Sequence, residues 1–564
     1  MEALDWLVIG VFFLALIGII VWVVRQKQND SADYFLGGRD ATWLAIGASI
    51  FASNIGSEHL IGLAGAGASS GMAMAHWEIQ GWMILILGWV FVPFYTRSMV
   101  YTMPEFLERR YNPQSRTILS VISLVSYVLT KVAVTVYAGG LVFQQVFGIK
   151  ELWGIDFFWI AAIGLVVLTA LYTIFGGMKS VLYTSVLQTP ILLLGSLIIL
   201  VLGFKELGGW DEMMRVCGAV TVNDYGDTMT NLIRSNDDAN FPWLGALIGS
   251  AIIGFWYWCT DQFIVQRVLS GKNEMEARRG TIFGAYLKLL PVFLFLIPGM
   301  IAFALHQKYI GAGGEGFLPM LANGTANADA AFPTLVAKLL PAGVKGLVVC
   351  GILAALMSSL ASLFNSSAML FTIDFYKRFK PETPEKKLVG IGQIATIVIV
   401  VLGILWIPIM RSVGDVLYTY LQDVQSVLAP GIAAAFLLGI CWKRTSAQGG
   451  MWGLISGTVI GLTRLGAKVY YSNAGEVADS TFKYLFYDMN WLFFCGWMFL
   501  FCIIVVIVVS LATEAPTAEK IQGLVFGTAT KEQKAATRAS WNHWDIIHTV
   551  IILAITAAFY WYFW

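Results

Sequence analysis

A tight group of polar residues lies inside a stretch that is otherwise apolar enough to cross a membrane. Residues 49–67 read SIFASNIGSEHLIGLAGAG, and the polar members grouped around Gly56 are Asn54, Ser57, Glu58 and His59. A membrane helix that unwinds at such a glycine frees backbone carbonyls, which are hard oxygen ligands suited to a small cation. The alternative interpretation is a small-residue face at which two helices pack and share hydrogen bonds.

Three further ionisable residues, Glu78, Lys131 and Lys288, are flanked by apolar residues on both sides. An ionisable side chain inside a membrane span is by default a candidate functional residue, although a lysine near a helix end can extend its amine to the membrane surface. Pairing Glu78 with Lys288 would lower the desolvation cost of both groups. The pair would also offer one acceptor and one donor to a neutral, polyhydroxylated ligand.

Aromatic residues adjoin polar ones in the segment FWYWCTDQ, residues 255–262. A stacked aromatic ring beside the Asp261 carboxylate and the Gln262 amide is an arrangement with which proteins hold a sugar ring. The alternative is a belt of aromatic residues at the membrane surface.

Hydroxyl groups cluster in the segment AALMSSLASLFNSSA, residues 354–368. Ser358 and Ser359 lie one helical turn from Ala355, so their hydroxyls and backbone carbonyls can complete an oxygen-lined Na⁺ site, or can simply pack against a neighbouring helix. A further polar position, Gln422, precedes a Pro-Gly pair that interrupts an apolar run.

The bulk composition sets the class of protein. The chain has 564 residues, of which 58% are hydrophobic and 13% charged, and its mean hydropathy is +0.72. Soluble domains carry about 25% charged residues, so a polytopic membrane protein is predicted. The net charge of +1 gives no basis for nucleic-acid binding. No phosphate-binding loop, metal triad or catalytic triad is recognisable, so no enzymatic activity is predicted.

Apolar runs of about 20 residues are long enough to cross the hydrocarbon core, and about fourteen such spans are predicted. The run at 334–374 is expected to include a short helix before its true span. The spans are 6–24, 42–68, 76–97, 116–147, 157–175, 180–203, 241–268, 281–305, 334–374, 388–409, 414–441, 449–470, 487–511 and 543–563.

Lysine and arginine concentrate in alternate loops, which predicts that these loops are cytoplasmic. The intervening loops at 205–240 and 306–333 are then outside, as are both termini, and Asn323 begins a glycosylation triplet there. The predicted location is the plasma (inner) membrane, with the lipid bilayer as a partner. The oligomeric state is left open.

The order of the spans divides the chain into five parts. Because each of the two central groups has an odd number of helices, the second group enters the membrane from the opposite side, as in an inverted repeat. The parts are 1–40 with an extra helix and a cytoplasmic loop, 41–204 with five helices, 205–240 as an extracellular loop, 241–445 with five helices, and 446–564 with three flanking helices and a cytoplasmic linker at about 513–542.

A series of motifs resembles the sodium/solute symporter family, and most closely its sodium/sugar cotransporter branch. The resemblance implies an all-α membrane protein with a core of two inverted five-helix repeats, the LeuT-like fold. The motifs are DYFLGGRD (33–40), TMPEFLERRY (102–111), GGMKSVLYT (176–184), WYWCTDQFIVQR (256–267), YLKLLPVFLFLIPGM (286–300), SSLASLFNSSA (358–368) and APGIAAAFLLGICWKR (429–444).

The resemblance also implies roles for individual residues. Na⁺ is the coupling ion, held by Ala52, Ile55, Ala355, Ser358 and Ser359. The residues that hydrogen-bond a sugar are Asn54, His59, Glu78, Lys131, Lys288 and Gln422. Tyr257 and Trp258 form the aromatic pair beneath the sugar, with Tyr257 as inner gate. The outer gate consists of Leu63, Trp77 and Tyr418.

The chain departs from the family pattern after Thr184, where Ser185 stands in place of the usual Asp. That carboxylate is implicated in a second sodium site or in sodium release, so one Na⁺ per sugar is expected. The predicted function is uptake of a hexose such as glucose or galactose, driven by inward Na⁺ movement through alternating access. The alternatives are Na⁺-coupled symport of another polyol such as myo-inositol, proton-coupled sugar symport, and a channel or sensor.

Overall fold

Nearly all regular structure in the protein is helical. The computed structural model describes residues 1–26, 30–56, 58–321, 324–411, 417–473 and 478–564. Within these ranges, eleven helices are long and apolar enough to cross a membrane. One small antiparallel ribbon pairs Glu151–Leu152 with Ile155–Asp156. The prediction of an all-α, multi-pass membrane protein is confirmed, and the triplet at Asn323 lies outside the described residues.

The N-terminal third of the chain contains eleven α-helices in the described ranges. They are Ala3–Val24, Ser31–Leu36, Trp43–Asn54, Ala64–Ser70, Ala75–Glu78, Gly81–Ile86, Val92–Ser98, Met103–Arg110, Pro113–Ser126, Ala133–Phe147 and Phe157–Leu207.

The remainder of the described chain continues the helical pattern. The α-helices of the second core region are Trp210–Gly218, Trp243–Gly254, Gln262–Leu269, Glu274–Lys288, Ile297–Gly311, Ala331–Leu339, Val344–Met369, Lys377–Phe379, Glu385–Arg411 and Leu417–Cys441. The C-terminal α-helices are Ala447–Asn473, Thr481–Lys483, Trp491–Ala512, Ala518–Ile521, Lys531–Ala539 and His543–Tyr562.

Short non-α turns connect several of these helices. The π-helical segments are Glu58–Leu63, Leu87–Phe91, Tyr127–Val132, Phe255–Thr260, Val292–Leu296, Leu370–Tyr376 and Tyr484–Asp488. The 3₁₀ segments are Gly37–Arg39, Gly71–Met74 and Ala328–Ala330.

Within the described residues, the predicted spans fall on helical segments, some on a single helix and others on a series of shorter ones. The short helix expected before the ninth span is Ala331–Leu339, and the span itself begins at Val344. The predicted interruption between the fifth and sixth spans is a kink at Gly177, whose φ is 52°. A side chain there would meet the carbonyl of Tyr34, so both the backbone angle and the available space favour glycine.

Two membrane helices are broken in their middle. Helix Trp43–Asn54 ends at Ile55, which is extended (φ −81°, ψ 105°), and the chain is helical again from Glu58. In the second half, Asp261 (φ −76°, ψ 126°) separates Phe255–Thr260 from Gln262–Leu269. Each break falls in the first helix of a predicted five-helix group, which agrees with an inverted repeat.

The broken helices lie in the interior of the bundle. In the span Val344–Phe379, which packs beside them, 89% of the most apolar window is buried, whereas the figure is 22% for both Ala3–Val24 and His543–Tyr562. The first and last helices therefore present apolar surface for lipid, while the central helices can carry polar groups that lipid would not solvate.

Each end of the chain is held by hydrogen bonds to a distant segment. The carboxylate of Asp5 accepts hydrogen bonds from the backbone N–H groups of Gly343 (2.7 Å) and Gly346 (2.8 Å). At the other end, the carbonyl of Phe563 accepts from the N–H of Leu232 at 3.2 Å. The segments that hold the two ends lie in, or shortly after, the two loops expected to be extracellular. The number of crossings and the location of both termini stay predictions.

Candidate functional site

A cavity of about 60 Å³ lies next to the two helix breaks. The predicted gate residues are distributed differently: Trp77 and Tyr257 line the cavity, Leu63 is fully buried outside the lining, and the side chain of Tyr418 lies outside the described residues. All eight side chains predicted to bind the substrate line this cavity: Asn54, His59, Glu78, Lys131, Tyr257, Trp258, Lys288 and Gln422.

The carboxylate of Glu78 is the centre of a buried polar network. Its Oε2 accepts from Lys288 Nζ at 2.6 Å and lies 3.3 Å from His59 Nε2. The Lys288 amine also donates to Asn54 Oδ1 at 3.1 Å. The ion pair expected from the sequence is therefore present. Removing either partner would leave a buried, uncompensated charge, which is strongly destabilising.

Lys131 forms a second buried ion pair. Its Nζ donates to Asp261 Oδ2 at 2.6 Å, and the hydroxyl of Tyr127 donates to the other carboxylate oxygen. The amine also lies 4.9 to 5.3 Å from four aromatic ring centres, those of Tyr127, Trp256, Tyr257 and Phe263. Cation–π attraction and the carboxylate both hold the amine in place, so its direct contact with a substrate stays a prediction.

The aromatic pair at the second break forms part of the cavity wall. The rings of Tyr257 and Trp258 meet edge to face, with centres 4.9 Å apart. The phenol oxygen of Tyr257 accepts from Asn54 Nδ2 at 3.1 Å, which joins the aromatic pair to the polar network at the first break. The indole N–H of Trp258 points to Gln80 Oε1 at 3.3 Å.

Backbone carbonyls freed at the first break are met by a serine hydroxyl from another helix. Ser359 Oγ lies 3.0 Å from the carbonyl of Ser53 and 3.1 Å from that of Ile55. Ala52 precedes them in the last turn of its helix, where carbonyls have no helical donor. Carbonyl and hydroxyl oxygens are hard ligands, so this donor set fits a small cation such as Na⁺.

The neighbouring positions of the predicted ion site are also buried. Ala355 lies about one turn before Ser359 on Val344–Met369, and its side chain is 1% exposed. Ser358 Oγ lies 3.4 Å from Ser185 Oγ, while the Ser185 hydroxyl donates to the carbonyl of Val181 at 2.6 Å. A serine bonded to its own helix thus occupies the position at which relatives were expected to carry a carboxylate.

One predicted substrate residue retains unused hydrogen-bonding capacity. The side chain of Gln422 is 8% exposed, and within the described part of the chain its Oε1 has no hydrogen-bond partner. A buried amide oxygen without a donor is unfavourable by about 1–3 kcal/mol. A hydroxyl group of a bound solute would relieve that penalty.

Some residues of the site were missed by sequence reasoning. The polar side chains among them that line the cavity are Gln80, Gln425 and Thr135. The carbonyl of Ser53 is a further oxygen atom at the predicted Na⁺ site. Gln80 carries a signal that could have been used, since it is an amide two residues after Glu78 in an apolar segment. The Ser53 carbonyl carries none, because every residue has a carbonyl and only the break exposes this one.

Comparisons with known proteins agree with this geometry. Residues 34–457 match the model of the family described as "Sodium:solute symporter family". The sodium/myo-inositol cotransporter 2 of Mus musculus is 37% identical over 542 residues, covering 94% of this chain and 80% of the relative. The sodium/glucose cotransporter 4 of Danio rerio is 36% identical over 537 residues, covering 92% and 80%.

A solved structure shares the architecture. The chain of a Na⁺-coupled sialic acid symporter, in a substrate-bound outward-open state, superposes with a TM-score of 0.72 and 22% identity, covering 92% of this chain and 99% of that one. At this level of identity the likeness concerns the fold, and it confirms the predicted LeuT-like architecture.

Proposed function

Since this chain belongs to the sodium:solute symporter family, and is thus a Na⁺-coupled solute symporter rather than an enzyme, we propose that its solute is a hexose such as glucose or galactose. The observation that carries the proposal is the cavity wall itself. It combines an aromatic pair with the Glu78–Lys288 pair and with the amides of Asn54 and Gln422.

The charge pattern of this wall favours a neutral solute. Both lysines that line the cavity are paired at 2.6 Å, Lys288 with Glu78 and Lys131 with Asp261. An anionic solute would compete with those carboxylates for the amines. A ring with several hydroxyls can instead donate to Glu78 and Gln422 and accept from Asn54 while its apolar face lies against an aromatic ring.

The proposed mechanism couples the two ligands through the first helix break. Na⁺ held between the carbonyls near Ile55 and the hydroxyl of Ser359 fixes the broken helix against Val344–Met369 and orders Asn54 and His59 for the solute. Solute binding then permits the outer gate to close. When the inward-open state separates the two helices, Na⁺ loses ligands and leaves together with the solute, so each ligand favours the states that the other favours.

The driving force is sufficient for accumulation with one ion per solute. A membrane potential of about 100 mV and a tenfold Na⁺ gradient together supply roughly 3.7 kcal/mol per ion. That free energy supports a solute gradient of several hundredfold. The serine at position 185 supports a stoichiometry of one, because it offers no carboxylate for a second ion.

We place the protein in the plasma (inner) membrane with both termini extracytoplasmic.

A second candidate solute is myo-inositol. Relatives named as myo-inositol cotransporters are 35–37% identical to this chain, and the glucose cotransporter is 36% identical. The ring carbon and hydroxyl count of the two solutes is similar, so the same wall can serve either.

The test is radiolabelled uptake into sealed proteoliposomes. We expect Na⁺-driven, uphill uptake of glucose or galactose, with myo-inositol, mannitol and sialic acid as comparison solutes. Uptake of myo-inositol alone would replace the hexose by the polyol. Uptake that continues without Na⁺ and stops when the proton gradient is dissipated would overturn Na⁺ coupling.

A further inference from the structure

The carboxylate of Glu58 lies beside the first helix break. A Cβ atom placed on Gly56 would be 2.5 Å from Glu58 Oε2 and 2.8 Å from Ser359 Oγ. The carboxylate oxygen and the serine hydroxyl therefore converge on one small space that only glycine leaves open. Within the described residues, Glu58 Oε2 is buried and has no hydrogen-bond partner.

Within the described residues, Glu58 has no ion pair of the kind that the other two carboxylates of the site form. Glu78 is paired with Lys288, and Asp261 is paired with Lys131. Among the described residues, the cavity lining and the Asp261 behind it together hold three carboxylates and two amines, and both amines are engaged at 2.6 Å by carboxylates other than Glu58. A buried carboxylate is unfavourable unless a cation or a proton neutralises it.

The oxygens around this space form a coherent ligand set for a cation. They comprise the hydroxyl of Ser359 and the carbonyls of Ser53 and Ile55 that it contacts, and the Glu58 carboxylate enters from the next turn of the chain. We propose that Glu58 is an anionic ligand of the coupling cation, added to the carbonyl and hydroxyl cradle. This proposal rests on the proposed function, because it names a further ligand for the ion of that mechanism.

The position of Glu58 also gives the ion a direct effect on the solute. Glu58 and Ser359 both line the solute cavity, so the ion site and the solute site share a wall. A monovalent cation bound there balances the charge of the Glu58 carboxylate. The cavity that the solute meets is then neutral and better ordered, which is a differential interaction of the kind that coupling requires.

The experiment compares Glu58→Gln with Glu58→Asp in the purified full-length protein. Glu58→Gln keeps the size and removes the charge, whereas Glu58→Asp keeps the charge and withdraws it. Na⁺ binding is measured without solute, as the shift of the thermal unfolding midpoint when NaCl is added at constant ionic strength. The half-activating Na⁺ concentration, at which the uptake rate is half its maximum, is measured separately. We expect half-activating Na⁺ to rise about tenfold in Glu58→Gln, which corresponds to ~1.4 kcal/mol, and less in Glu58→Asp.

Solute affinity at saturating Na⁺ separates this role from others. We expect it to stay within about threefold of the parent protein in Glu58→Gln, since a change of 1.4 kcal/mol is needed for tenfold. An unchanged Na⁺ response in a folded Glu58→Gln protein would overturn the proposal. A lost solute affinity with an unchanged Na⁺ response would make Glu58 a solute contact and would overturn it equally.

Two controls keep the result interpretable. If Glu58→Gln is not monodisperse, Glu58→Asp is compared with the parent protein instead. The quantity measured is the ratio of the half-activating concentrations of Li⁺ and Na⁺ in uptake, and an unchanged ratio overturns the proposal. If the parent protein itself shows no Na⁺ response, the proposed function fails, and that failure is recognised before any variant is examined.

Discussion

The two helix breaks are stabilised in different ways. At the first break, the carbonyls of Ser53 and Ile55 share one described side-chain partner, the hydroxyl of Ser359. At the second break, the side chain of Asp261 accepts from the N–H of Phe263 at 3.3 Å and from Lys131 at 2.6 Å. The first break thus leaves oxygen atoms for a ligand, whereas the protein's own charges fill the second.

The difference follows from the residues at the breaks. Neither Ile55 nor Gly56 has a polar side chain with which to satisfy the freed backbone groups, so the carbonyls of Ser53 and Ile55 are left to a group from another element. Aspartate caps the helix that follows it, and its charge is then balanced by a lysine from a distant helix. Discontinuity of a membrane helix therefore does not by itself indicate an ion site. The available oxygens indicate it.

The largest expected effect concerns the second break, at Asp261, where the protein's own charged groups occupy the space. Lys131→Met leaves the buried Asp261 carboxylate without its amine, and breaking such a pair destabilises a protein by about 3–5 kcal/mol. We expect Lys131→Met to have a lower thermal unfolding midpoint in detergent than the parent protein. The double variant Lys131→Met/Asp261→Asn should recover most of that decrease. Arg279→Met is the matched control, because its pair with Asp545 is more exposed. A double variant as unstable as the single one would show that the pair is not the stabilising feature.

The next effect concerns the first break, at Ile55 and Gly56, which we call the open break because it leaves oxygen atoms for a ligand. Ser359→Ala removes the hydroxyl shared by the Ser53 and Ile55 carbonyls, so half-activating Na⁺ is expected to rise about tenfold, or ~1.4 kcal/mol. The unfolding midpoint in the absence of Na⁺ is expected to change much less. Ser362→Ala is the control, since that hydroxyl bonds Ser53 Oγ at 2.6 Å rather than a freed carbonyl. Equal Na⁺ curves for Ser359→Ala and the parent would contradict the assignment of the open break.

A smaller effect is expected where the cavity holds an unsatisfied amide. Gln422→Ala removes one hydrogen bond to the solute, which contributes about 0.5–1.5 kcal/mol, so solute affinity should fall severalfold with the Na⁺ response unchanged. Gln188→Ala serves as the control, because Gln188 is a buried amide outside the cavity lining. Equilibrium solute binding at saturating Na⁺ is the measurement, and equal affinities in the two variants would remove Gln422 from the site.

The smallest effect is expected at Trp77, which is predicted to belong to the outer gate. Trp77 stacks on Trp491 with ring centres 5.5 Å apart. Trp77→Phe retains an aromatic contact of smaller area, so we expect uptake rates to change by less than about threefold, within the range of a single aromatic pair. Trp77→Ala should slow uptake further. If Trp77→Phe alters the Na⁺ response more than Ser359→Ala does, the assignment of Na⁺ binding to the first break and of gating to Trp77 is wrong.

The sequence was sufficient to predict the helical fold, the broken backbone near Gly56 and the Glu78–Lys288 pair, whereas the break at Asp261 was not predicted. These features depend on residue type and on the presence of charge in an apolar run, which a single sequence displays. The partner of Lys131 was not predicted, because Asp261 lies 130 positions along the chain. Lys131 and Asp261 were each interpreted as substrate-facing, and the structure shows that their charges are directed at each other.

The π-helical turns were also not predicted. They have no residue pattern of their own, since they arise where a helix accommodates one extra residue against its neighbours. Three of them carry residues of the cavity lining: Glu58–Leu63, Tyr127–Val132 and Phe255–Thr260. The side chains of the site therefore depend on a detail of helix geometry that tertiary packing decides.

These wide turns make the site sensitive to residue register. An α-helix advances about 100° per residue, so deleting one residue from Tyr127–Val132 would rotate everything beyond it by that angle while the helix itself could remain intact. The surface that now faces the solute would then face a neighbouring helix. In an alignment with working relatives, gaps in these three segments are accordingly expected to be absent even where single substitutions are frequent.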